Sequence, residues 1–164
     1  MKKKSGPAVG DILAVPAANG EFHFAVVLAA EDAFGLPLGF LRGSYETQEW
    51  PPASAAAPDV RPHAVYTDDD AVRSGDWTVV AHEPALVPRF RPPEIYHAAG
   101  ADADLMELMG ESGSVGQFGM AETADGSTRQ LDEAEARAIG LLDGSYDQVT
   151  LSGYLPGHLK ALGL

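Results

Sequence analysis

His82 and Glu83 stand side by side in SGDWTVVAHEP (74–84), the most chemistry-bearing pair of neighbours in the chain. An imidazole beside a carboxylate can serve as a general base or contribute to a metal site. The surrounding residues alternate like a strand, and adjacent strand side chains leave on opposite faces. The two therefore cannot grip one ion or one substrate together, and WTVVAH (77–82) reads as a strand with a packed or hydrogen-bonded histidine at its end. A helical zinc site would need two histidines four residues apart, and His23, His63, His82, His97 and His158 stand at no such spacing. Spacing thus identifies no catalytic residue and no metal ligand set. A small metal-assisted hydrolase built from dispersed histidines and carboxylates stays open as an alternative, provided at least three such side chains converge in space. A ligand-binding accessory domain stays open as well.

Two acidic stretches carry the other chemistry. TDDDAV (67–72) invites a calcium reading, but an EF-hand loop alternates its acids, sets a glycine at the sixth place and ends on a distal Glu. Asp68, Asp69 and Asp70 are consecutive instead, which suits a capped helix start or an acidic patch facing a partner. In DADLMELMGE (102–111), Asp102, Asp104, Glu107 and Glu111 are interleaved with Leu105, Met106, Leu108 and Met109. That mixture fits an amphipathic helix with a core face, or a partner-binding surface of apolar anchors rimmed by acids. The glycines of 110–119 make no phosphate loop, because no Gly-Lys-Ser/Thr follows and 98–128 lacks Lys and Arg. GQFGMAE lacks the strand-to-helix setting of a dinucleotide fingerprint, and no Gly-x-Ser-x-Gly elbow occurs. No cofactor is expected.

The elements that must carry these residues are mostly strands. GDILAVP (10–16) and FHFAVVLAA (22–30) alternate apolar faces around Asn19-Gly20, a strong hairpin signal. FGLPLGFLRGSYE (34–46) reads as a third, glycine-broken strand, with Pro37 pointing to an edge or a bulge. WPPASAAAPDVRP (50–62) is a Pro/Ala-rich loop, HAVYT (63–67) a short strand, and DDDAVRSGDW (68–77) a short helix ended by Gly75. EPALVPRFRPPEIYH (83–97) is too proline-rich for regular structure, and a short strand is expected within 116–122. LDEAEARAIGLL (131–142) predicts a helix with Leu131, Ala134, Ala138 and Leu142 near one face, and YLPGHLKALGL (154–164) a second one starting near Pro156. Strands early and helices late predict an α+β fold: a single domain over 1–164, built on a strongly bent, half-barrel-like antiparallel meander with a few short helices. Residues 1–8 are expected to be a flexible N-terminus.

The totals limit the partners. Twenty-four Asp and Glu against eleven Lys and Arg give a net charge of −13, which disfavours nucleic acid and anionic membranes and favours a basic partner. The acid excess is greatest after residue 97, where three basic residues face eleven acids. There is no cysteine, which excludes disulfides and thiolate zinc sites. MKKKSGPAVGDILAV imitates the charged region of a secretion signal, but Asp11 interrupts the apolar run that should follow. No stretch is long and apolar enough to predict a membrane helix, and the cytoplasm is the expected location.

VGDILAVPAANGEFHFAVVLAA resembles the opening of the immunity protein 26 family of bacterial polymorphic toxin systems. That opening is a Gly-Asp, an apolar strand ending near a proline, a glycine-bearing turn, and an aromatic-rich return strand ending in Val-Leu. AVRSGDWTVVAHEPAL is similar to the family's second landmark: a short helix, a tryptophan, a short apolar strand and a Pro-Leu-like corner. The likeness covers 9–46 and 63–95. It implies a small cytoplasmic binding protein, without catalytic residues, that blocks a cognate toxin domain, with 77–86 as a core strand and corner and Trp77 as packing; the acidic net charge points to a basic toxin. The expected partner-binding residues are Asp102, Asp104, Glu107 and Glu111, with Asp68, Asp69 and Asp70 as a second patch.

Overall fold

The computed structural model describes residues 6–52, 59–99 and 116–164. The fold is α+β, with mainly antiparallel sheets and a few short helices, as the order of strand and helix patterns predicts. Contacts gather into two compact units, one comprising residues up to Pro93 together with Val149–Leu164, the other Glu94–Gln148.

The first unit is built on a five-stranded sheet. Its strands are β1 (Asp11–Pro16), β2 (Phe22–Val27), β3 (Leu36–Phe40), β4 (Val65–Thr67) and β5 (Thr78–His82), in the order β4-β3-β2-β1-β5. The period-2 pattern of β1 and β2 separates two apolar clusters. Leu13, Val15, Ala25 and Val27 join Leu36, Leu38, Phe40 and Trp77 in one, while Ile12, Ala14, Phe24 and Val26 join Leu41 and Phe90 in the other. Both faces of the sheet are therefore covered. A one-residue slip of β2 on β1 would exchange the two sets, so the register Ile12↔Val26 to Pro16↔Phe22 is strongly specified.

The β1–β2 connection is a hairpin that turns at Asn19-Gly20, as the sequence predicts. The Ala17 N–H donates to the Glu21 carbonyl (2.8 Å), and the Gly20 N–H donates to the Ala17 carbonyl (3.3 Å). This is a three-residue loop in which Gly20 alone takes a positive φ, +85°, and among the described residues only glycines do so. Pro37 is no edge marker, since β3 lies between β2 and β4. The Pro37 carbonyl accepts from the Leu28 N–H just past the end of β2, so the missing proline N–H falls where that ladder has already stopped. Gly39 is a close approach: a Cβ there would lie 2.5 Å from the Phe90 ring.

The predicted helix after β4 is one short turn, α1 (Asp70–Ser74), closed by Gly75 at φ +89°. Trp77 is buried, as expected of packing, but β5 is not a core strand: it forms the sheet edge, and Val79 is 50% exposed. The stretch after β5 holds a 3-10 helix, Pro84–Arg89, where proline content predicts irregular chain; the fixed φ of proline suits its first turn.

The second unit has a three-stranded antiparallel sheet, β6 (Ile95–His97), β7 (Met120–Glu122) and β8 (Thr128–Gln130), in the order β6-β7-β8, followed by α2 (Glu133–Ile139). Asp132 caps α2 by accepting from the Glu135 N–H (2.8 Å). The buried face of α2 is Ala136 and Ile139 with Leu131 before it, whereas Ala134, Ala138 and Leu142 are exposed; the sequence pattern assigned that face wrongly because alanines populate both sides. Arg129 on β8 is clamped by Glu94 (2.9 Å) and Glu135 (2.6 Å). The last helix, α3 (Leu155–Ala161), returns to the first unit and buries Leu155 and Leu159 in its Trp77 cluster. No helix among the described residues is long and apolar enough to cross a membrane.

Candidate functional site

His82 ends β5 opposite Asp11 on β1, and its Nδ1 lies 2.9 Å from Asp11 Oδ1. Glu83 instead accepts a hydrogen bond from Trp50 Nε1 (2.7 Å). The neighbours thus turn to different partners, as strand geometry requires. With 56% of its side chain exposed, His82 is a hydrogen-bonded strand-end residue.

The remaining histidines are also engaged. His23 is buried, its Nδ1 3.1 Å from the Gly43 carbonyl, and burial lowers its pKa, favouring the neutral ring. It borders a cavity of about 360 Å³ that is also lined by Ser44 and Lys160. His97 Nε2 lies 2.8 Å from Glu122 and its Nδ1 lies 3.2 Å from Gln148 Nε2. A Glu–His pair can serve a nucleophile at its second ring nitrogen, but here the amide of Gln148 already occupies that position. Residues 97 and 122 belong to neighbouring strands, β6 and β7, and nothing in their 25-residue separation announces the pair. Among the described residues, no three His, Asp or Glu side chains converge as a metal site would require.

The run Asp68–Asp69–Asp70 divides into three roles. Asp68 accepts from the Ser152 N–H (2.8 Å), the Ser152 hydroxyl (2.7 Å) and the Asp70 N–H (2.9 Å). Partial burial works to raise its pKa, but the hydrogen bonds from Ser152 and from the backbone prevail and hold it below the usual carboxylate range. One carboxylate therefore starts α1 and also ties down a segment 84 residues away in sequence. Asp69 is buried and pairs with Arg73 Nε (2.7 Å). Asp70 alone is exposed. The four expected acids Asp102, Asp104, Glu107 and Glu111 lie outside the described residues.

The feature that sequence reasoning missed is the edge of the large sheet. The far side of β4 is bridged by Val149, and the Thr150 N–H donates to the Tyr66 carbonyl (3.0 Å). At the other end, β5 pairs with β1 alone among the described residues. Thr78, Val79 and His82 are exposed on it, and Asp76 and Glu83 flank it. A groove of about 480 Å³ runs beside it, with Pro7, Arg73, Trp77, Thr78 and Val79 in its wall. WTVVAH announces a strand, but only the topology makes that strand an edge.

Comparison of the chain with protein families, with curated proteins and with solved structures finds no match.

Proposed function

We propose that the chain is a cytoplasmic binding protein that neutralises a cognate, basic bacterial toxin domain by forming an inhibitory complex. The observation that carries this reading is the charge: 24 carboxylates against 11 bases on a strand-rich fold. A surplus of one sign speeds encounter with an oppositely charged partner and orients its docking. The likeness of 9–46 and 63–95 to immunity protein 26 sequences supplies the toxin as the partner class. In this reading the histidines are structural and the protein turns nothing over.

The test is titration calorimetry of the chain against the toxin-like product of a neighbouring gene, paired with co-expression of the two. A stoichiometric complex and rescue of growth are expected. A neighbourhood without a toxin-like gene, or a toxin that kills equally well with the chain present, would remove the reading.

A ligand-binding accessory role is the second reading, and the cavity beside His23 and Lys160 favours it. It predicts that a small anionic metabolite raises the melting temperature while a toxin domain does not.

A further inference from the structure

We infer that β5 is a docking edge that accepts an extended, lysine- or arginine-bearing segment of the partner protein as a sixth, antiparallel strand. The inference rests on the binding-protein reading and gives it a surface. A sheet edge presents unpaired N–H and C=O groups, and soluble proteins blunt such edges with lysine, proline, inward charge or a covering segment. TVVAH contains no Lys, Arg, Asp or Glu and no proline. The opposite edge of the same sheet is covered by 149–150, whereas β5 has one neighbour among the described residues. Among the described residues its protection is a bulge, because Ile12 faces Ala81 while Leu13 faces Val79, leaving Val80 out of register, and one side-chain bond, from the Thr78 hydroxyl to Gln48 Oε1 (3.1 Å). Val79 stands half-exposed next to the groove, where an incoming strand could cover it.

Charge decides the occupant. Asp76 precedes the strand, Glu83 follows it, and Asp11 lies across from its end. Among the described residues that line the groove, the one Lys or Arg is Arg73, which is paired with Asp69. A second copy of the chain, pairing antiparallel about Val80, would bring Asp76 of one copy towards Glu83 of the other, with a net −13 on each side. A basic segment meets the same acids favourably.

The experiment uses the full chain and two synthetic peptides, one alternating lysine with valine, the other glutamate with valine, with amide hydrogen exchange read by mass spectrometry. The lysine peptide should slow exchange across 78–82 by about tenfold at saturation, and the glutamate peptide should not. Val79→Lys, at an exposed edge position compatible with folding, should weaken the lysine peptide about tenfold while leaving the melting temperature near that of the parent. Three results would overturn the inference: no protection at 78–82, equal protection by both peptides, or concentration-dependent protection without peptide, which would mean self-pairing. Because the probe is a peptide and not the toxin, none of these three results decides whether the toxin itself is bound; the toxin titration tests the function independently.

Discussion

Asp68 shows how much one carboxylate can organise. It satisfies an N–H at the start of α1 and holds Ser152 through both backbone and hydroxyl. Hydrogen bonds to a charged group contribute about 1.5–3 kcal/mol, so Asp68→Ala should destabilise the chain by roughly that amount at pH 7. The pH dependence has a definite sign. The folded pKa is depressed, so the contribution is complete above the unfolded value of about 3.9 and is lost as pH falls through the folded value. Urea unfolding of parent and variant should therefore show a gap at pH 7 that narrows at pH 3. A gap that is unchanged at pH 3 would mean that packing, not the carboxylate charge, carries the effect. The role of Asp68 was half legible: an acid at a helix start is a sequence signal, but its bond to Ser152 spans 84 residues and leaves no local trace.

Among the elements, the β1–β2 hairpin was the most legible, because alternation and a turn dipeptide agree on it. The loop length was not, since three-residue loops also use a left-handed glycine, and only Gly20 requires one here. A Cβ at Gly20 would meet nothing within 4 Å, so the cost of Gly20→Val is conformational. It should be about 1–2 kcal/mol, seen as a lower denaturation midpoint with an unchanged slope. In the second unit, β6 and β8 are three-residue strands too short to show a period, and the apolar face of α2 was obscured by alanines. What holds those pieces is Arg129, whose guanidinium is stabilised in its charged form by hydrogen bonds first to Glu135 and then to Glu94. The Glu94 side chain is 8% exposed and would be left without this partner in Arg129→Ala. The expected cost is about 2–4 kcal/mol, below that of a fully buried pair because a third of the Arg129 side chain stays exposed. Faster amide exchange within 94–148 than in β1–β3 would locate the damage; uniform change across the chain would contradict the assignment of Arg129 to this unit.

At the scale of the whole molecule, the central claim is that an acidic surface captures a basic partner. The most direct measurement is the association rate constant with the basic toxin domain across ionic strength, by stopped flow, for the parent and for the variant with Asp102, Asp104, Glu107 and Glu111 changed to Lys. Long-range attraction is screened within about 8–10 Å at physiological salt, and rim charges act mainly on the association rate. The parent should associate at least about tenfold faster at low salt than at high salt, and the fourfold variant should be slower with a flatter dependence. A salt-independent rate for the parent, or no complex at any salt, would contradict the account.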